Sequence, residues 1–283
     1  MSVSPFDPAT FWEEHDCKLD QHGNPEDVTL SHDLYRGMPA WFNAFFAYFQ
    51  RRSVMRLLQE CNYREMRRSL DVGCGTGRWS EFLLQIGLEP FGVDLGRHAL
   101  QIAASRWPGA VFSCGRLPHL AFANASFEFA ISVTVLQHIP LEQQPYAIRE
   151  IGRILKPGGY FVACESIDAS DLSPHIFGNA RERWLALFGD TGFELIAQSA
   201  CEYLPYIKIF HWLRDRLHRE SEKPHRQVNV SQVARLLEHS PLLALGVRFF
   251  ITVSYPLEYL ASWLFPPQWA RLACFLLRKP RCV

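Results

Sequence analysis

Apolar positions along the chain change period several times, and each change marks an element. Between Arg68 and about Glu202, short runs rich in β-branched and aromatic residues alternate with stretches whose apolar residues recur every three or four positions. Ser69 to Val72, Phe91 to Asp94, Val111 to Cys114, Phe127 to Val133, Tyr160 to Cys164 and Phe193 to Ala200 read as strands. Between them, Trp79, Phe82, Leu83 and Ile86 mark one face of a helix ended by Gly87. Further helices are predicted from about Arg97 to Arg106, from Glu142 to Leu155 and from Arg181 to Phe188, the second stopping at Lys156-Pro157-Gly158-Gly159. Strands joined through helices need crossover connections, so the sheet is mostly parallel and covered on both faces. Arg271 to Arg278 reads as a last, antiparallel strand returning to it. The predicted fold class is α/β and doubly wound, with a mostly parallel seven-stranded sheet.

The flanks carry different patterns. From Met1 to about Asp33 the chain is polar and acidic and broken by Pro5, Pro8, Gly23 and Pro25, which predicts a loosely structured arm. Pro39 opens an aromatic stretch, Trp41, Phe42, Phe45, Phe46, Tyr48 and Phe49, whose spacing predicts a helix to about Gln59. Beyond Glu202 comes a His/Arg-rich stretch (His211, Arg214, Arg216, His218, Arg219, His225, Arg226), read either as a solvated face or as a contact for an anionic substrate group. An apolar segment from Leu236 to Phe265 follows. Arg248, Pro256 and Glu258 interrupt it before it reaches the ~20 apolar residues of a membrane span, so a helical lid is the expectation and an interfacial helix the alternative. The resulting division is an arm and aromatic cap helix over 1–66, an α/β core over 67–202, a helical insertion over 203–268, and a last strand and tail over 269–283.

Composition narrows the classes. Hydrophobic residues make up 48% of 283 and charged residues 20%, with 21 Phe and 8 Trp, enough to build a sizeable core. Lys+Arg and Asp+Glu both number 29, so no net field draws the chain to nucleic acid, and a small, roughly neutral partner fits better. The 8 cysteines are scattered, with no pair spaced for zinc; they read as free thiols, no metal is expected, and a cytoplasmic location is the default.

Chemistry concentrates at Leu70-Asp71-Val72-Gly73-Cys74-Gly75-Thr76-Gly77-Arg78, which follows a strand and opens a helix. Glycine allows tight turns and close backbone approach to a ligand. Asp94, at the end of the next strand, falls beside that loop in a doubly wound sheet, where its carboxylate can accept both hydroxyls of a ribose.

These residues resemble the first motif of the class I S-adenosylmethionine-dependent methyltransferases, acidic-x-Gly-x-Gly-x-Gly, with Asp71, Gly73, Gly75 and Gly77 in register. A dinucleotide oxidoreductase would place its third glycine one residue later. The resemblance covers roughly Arg68 to Ala200 and extends to Phe127 through Ile139, to Leu155-Lys156-Pro157-Gly158-Gly159 and to Thr191-Gly192-Phe193-Glu194. It implies a Rossmann-like methyltransferase fold and S-adenosyl-L-methionine as cofactor, held by Asp71, Gly73, Cys74, Gly75, Gly77, Asp94, Leu95, Arg116, Leu117, Ser132, Val133 and Gln137. One departure stands out: many members have a Gly-Asp pair whose Asp meets the adenine amino group, and here Gly115-Arg116 occupies that place, where a guanidinium cannot accept the hydrogen bond. Glu128 also stands where Asp is usual.

Ligands of open α/β sheets lie beyond the carboxyl ends of the strands. That rule selects His138, Glu165 and His175 as catalytic candidates. For His138 the alternatives are a hydrogen bond shaping the loop or base catalysis; for Glu165, substrate contact or satisfaction of backbone amides; for His175, solvation or substrate contact. Tyr35, Trp41, Asn43 and Phe46 either pack the cap helix on the sheet or roof the substrate chamber. The expected activity is methyl transfer to a small, partly hydrophobic metabolite or natural-product intermediate. The competing expectation is a non-catalytic binding or partner protein on the same fold.

Overall fold

The computed structural model describes residues 11–12, 34, 38–167, 175–203, 237 and 239–281. Tyr35, most of the N-terminal arm and the His/Arg-rich stretch lie outside the described residues. Seven strands form one sheet: β1 (Arg68–Val72), β2 (Glu89–Asp94), β3 (Val111–Cys114), β4 (Phe127–Val133), β5 (Leu155–Ser166), β6 (Glu194–Cys201) and β7 (Leu272–Arg278). Their order is β3-β2-β1-β4-β5-β7-β6, parallel throughout except that β7 runs antiparallel to both β5 and β6. The order reverses on leaving β1, the point at which such sheets bind ligands.

Period-two alternation explains why these runs form a sheet buried on both sides. In β7, Leu272, Cys274 and Leu276 enter one core cluster while Ala273, Phe275 and Leu277 enter the other. β5 divides the same way, with Val162 and Cys164 opposed to Phe161 and Ala163. The first cluster is closed by α1 (Ala40–Leu58), through Phe45, Phe46, Phe49 and Leu57, and by α2 (Arg78–Gln85), through Trp79, Phe82 and Leu83. α3 (Arg97–Arg106) presents Ala99, Leu100 and Ala103 inward. α4 (Gln144–Ile154) and α5 (Arg181–Asp190) close the second cluster with Ile148, Ile151, Trp184 and Phe188. α6 (Pro241–Leu264) packs on α1 and β6 and continues through Pro256.

One boundary differs from the sequence reading. Lys156-Pro157-Gly158-Gly159 is part of β5 rather than a turn before it. Gly158 N–H donates to Lys279 O and Lys279 N–H to Gly159 O, so the segment stays hydrogen-bonded to the chain leaving β7. Gly158 takes φ +79 within that pairing, a conformation open to glycine.

Candidate cofactor site at the carboxyl edge

Sheet register brings the candidate loops to one edge. Val72 lies level with Val93 and with Ser132, Asp94 with Cys114, and Val133 with Cys164, so the chain leaves β1 to β5 on the same side.

The glycine loop is built from backbone. Gly73 and Cys74 N–H both donate to Val93 O, at 2.8 and 3.1 Å, and Gly77 N–H donates to Cys74 O at 2.9 Å. Gly73 sits at φ +68, where a Cβ would lie 2.3 Å from Val135 Cγ2; Gly77 sits at φ +87, where one would lie 2.5 Å from Trp107 Cδ1. Only glycine fits either position without displacing a neighbour. Asp71 is buried and accepts from Ser80 Oγ at 2.7 Å, so the acid of the motif ties the loop to α2 from beneath. Half-buried Asp94 accepts from Gly75 N–H through Oδ2 and from Gly96 N–H through Oδ1, both at 2.8 Å. Its carboxylate thus clamps two loops, and since a carboxylate offers about four acceptor directions, this role is compatible with holding a hydroxyl. A backbone cradle with a carboxylate at its rim fits a nucleoside bearing a ribose.

Next to it, Leu95 O accepts from Cys114 Sγ, and Gly115 N–H donates to Asp94 O. The chain turns through a cis Leu117-Pro118 bond, with His119 N–H on Arg116 O. Arg116 is exposed and Leu117 half-buried. The segment that follows is pinned by a pair not singled out from sequence: Glu150 accepts Leu120 N–H at 2.8 Å while Arg153 donates to Leu120 O and Phe122 O. The adjacent Arg153 guanidinium, outweighing partial burial, holds the Glu150 carboxyl below its usual range.

Beyond β4 the construction changes to buried side chains. Glu165 is fully buried, its Oε1 accepting from Leu136 N–H (3.1 Å), Val135 N–H (3.4 Å) and Ser132 Oγ (3.3 Å), and its Oε2 from Gln137 N–H (3.1 Å). Burial pushes its carboxyl up to about 8 despite these donors. Of the two alternatives for Glu165, the geometry is that of backbone satisfaction. Ser132 and Val133 are buried as well, and Gln137 Oε1 accepts Ser166 N–H at 2.9 Å, tying the turn to the end of β5. Thr134, between strand and turn, adopts φ +57, an uncommon conformation for a β-branched residue, with its N–H on Cys164 O.

Gln144, at the start of α4, is buried with Nε2 at 3.2, 3.1 and 2.9 Å from the carbonyls of Leu136, Ile139 and Phe177. Its Oε1 accepts from Asn179 Nδ2 at 2.7 Å. Sequence reasoning missed both residues; the signal was a polar side chain on the inward face of an otherwise apolar helix.

His138 and His175 meet. His138 Nδ1–H donates to His175 O at 2.8 Å and the rings stack at 5.6 Å. Phe11 stacks on His175 at 4.7 Å and Trp12 sets its ring against His138 at 5.1 Å, nearly perpendicular. Part of the presumed loose arm is therefore helical at these two residues and packed on the histidine pair. The cap helix α1 packs on β6 and β7; Phe46 is buried among Phe42 and Phe45, Asn43 is buried and donates to Met38 O, and Trp41 is half-buried against Phe42. Among the described residues no cluster of His, Cys, Asp or Glu is placed to hold a metal, and no helix is long and apolar enough to cross a membrane.

Residues 70–163 match the family described as "Methyltransferase domain". The chain is similar to the biotin biosynthesis bifunctional protein BioHC of Cellvibrio japonicus, 26% identical over 198 residues that cover 64% of this chain and 38% of that protein. It is 34% identical over 113 residues to a malonyl-[acyl-carrier protein] O-methyltransferase of Erwinia pyrifoliae, covering 40% of this chain and 42% of the relative. The matched stretches thus span about two fifths of these curated relatives. Among solved structures, a chain from the complex between the Haloferax volcanii Trm112 methyltransferase activator and the putative methyltransferase superposes with a TM-score of 0.55 at 15% identity, covering 98% of this chain and 100% of that one, a likeness of fold.

Proposed function

We propose that the protein is a class I S-adenosylmethionine-dependent methyltransferase, a reading supported by the match of residues 70–163 to a methyltransferase domain, and that it methylates a small, partly hydrophobic metabolite or natural-product intermediate. The observation that carries this reading is the Asp94 carboxylate bridging Gly75 and Gly96 at the rim of the glycine loop.

S-adenosylmethionine, the cofactor the family implies, supplies a methyl group on a positively charged sulfur. The residues of the chain hold and shape. Gly73, Gly75 and Gly77 would let the backbone approach the ligand, and Asp94 would accept ribose hydroxyls. Glu165 acts as a positioning residue: it gathers the amides of Val135 to Gln137 and sets the path of the loop beside the reacting atoms. Holding the acceptor in line in a site that excludes water supplies most of the acceleration. The Nδ1–H of His138 is committed to His175 O, which fixes the orientation of the ring. When the acceptor is a hydroxyl or a protonated amine, the side chain we assign to receive the proton is His138. Phe11, Trp12 and His175 form the aromatic wall around it. An apolar acceptor suits such a wall, since small-ligand sites combine apolar lining with few polar contacts.

The test is incubation of the full chain with methyl-labelled S-adenosylmethionine and an extract of small metabolites. Label in an extractable product, with matching S-adenosylhomocysteine, is expected. A chain that binds S-adenosylhomocysteine yet labels nothing contradicts catalysis.

A further inference from the structure

Helix α6 is built with its polarity inverted. Its 24 residues contain one acid, Glu258, and it points inward, where both carboxylate oxygens accept Tyr203 N–H at 3.0 Å. Ser254 is also buried. The opposite face carries Leu242, Leu245, Phe249, Val253, Leu260 and Trp263, with Leu242 at 83%, Phe249 at 68% and Trp263 at 78% exposure. A helix docked on a protein surface ordinarily arranges these classes the other way round. Burial, with Glu202 nearby, lifts the Glu258 carboxyl to about 7 against its amide donors.

The exposed face extends past the helix through Phe265 and Trp269, which stack at 5.2 Å. Cations border it. Arg248 is exposed on α6; on the neighbouring α1, Arg52 lies over Tyr259 at 4.0 Å and Arg56 is exposed one turn on. No acidic side chain is exposed on α6. Exposed apolar area of this kind marks an interaction surface, and a single-helix face with Trp and Tyr near its C-terminal end suits a membrane interface.

We propose that α6 lies in the interface of an anionic lipid bilayer, with its apolar face in the acyl boundary, Tyr259 and Trp263 at headgroup depth, and Arg52, Arg56 and Arg248 against lipid phosphates. The helix is held to the protein along its inner stripe, so it rests on the membrane without crossing it. This assignment is independent of which acceptor is methylated.

Co-sedimentation of the full chain with phosphatidylcholine vesicles, with and without phosphatidylglycerol, tests it, read beside tryptophan fluorescence. Binding to the anionic vesicles with a blue-shifted emission is expected, weakened by salt, and reduced at least about tenfold in the double variant F249E/W263E. Both substituted side chains are exposed, so far-ultraviolet dichroism and the thermal midpoint of the variant should match the wild type. Failure to bind either vesicle overturns the proposal. So does a dimer that the double variant converts to monomers, which would assign the face to a second copy. Hydrogen exchange showing α6 already shielded in the vesicle-free monomer would assign it to the chain itself, and equal binding to neutral vesicles would remove the role given to the arginines.

Discussion

Two ends of the same sheet edge are built in opposite ways. At β1 and β2 the site is backbone: glycines at positive φ, amides turned onto Val93 O, and one carboxylate, Asp94, bridging two loops. At β4 and β5 it is a buried side-chain network, Glu165, Gln137, Gln144 and Asn179, holding a turn whose own amides would otherwise be unpaired. The first construction presents a ligand with close backbone and is tuned by space. The second fixes where the His138 ring stands and is tuned by hydrogen bonding. The difference teaches that substitutions at the two ends should fail in different measurements.

The largest effect is expected where several carbonyls share one partner. Q144L leaves Leu136 O, Ile139 O, Phe177 O and Asn179 without the amide, and about 3–4 kcal/mol of unfolding free energy should be lost in urea titration.

A slightly smaller, pH-dependent effect distinguishes the network end. Burial raises the Glu165 carboxyl to about 8 in the folded protein, so the stability this group contributes is complete below the ordinary carboxyl range and is lost as pH rises through that value. Relative to E165Q, the wild type should therefore lose about 3 kcal/mol between about pH 5 and about pH 8, seen as converging thermal midpoints. A gap that stays constant over this range instead would mean the carboxylate is charged throughout and held by its amides. G73A comes next: positive φ and the contact with Val135 should weaken S-adenosylhomocysteine binding about 100-fold in calorimetry while the thermal midpoint changes less, and V135A added to it should restore part of the loss. D94N removes the charged clamp on Gly75 and Gly96 and should cost about tenfold in the same titration. The smallest effect is expected for R116A, since the side chain is exposed; cofactor affinity should stay within about twofold, whereas a large loss would give the guanidinium a ligand contact.

The same contrast explains what could be read from the chain. Asp71 to Gly77, the strands Val111–Cys114 and Phe127–Val133, and the pairing of Asp94 with the loop were legible because each depends on local spacing or on neighbouring strands. Antiparallel β7 was legible from its apolar run once a seventh strand was expected. The Gln144–Asn179 bond and the bonds from Glu150 and Arg153 to the Leu120–Phe122 segment join residues whose relation appears only when α4 is laid on the sheet. Phe11 and Trp12 sit in a proline-broken polar stretch that reads as an arm, and their rings find His175 and His138, 164 and 126 positions away, only through the fold. The inverted face of α6 was half legible: its apolar run and the interrupting Glu258 were plain, but that Glu258 turns inward depends on Tyr203 N–H.

The central claim is that the carboxyl edge of β1 and β2 is a site for S-adenosylmethionine rather than a dinucleotide. Isothermal titration of the full chain with S-adenosylhomocysteine and, separately, with NAD tests it most directly. The account predicts one saturable site for S-adenosylhomocysteine, weakened about 100-fold in G73A, and no heat from NAD at the same concentrations. Binding of NAD with no response to S-adenosylhomocysteine would contradict it.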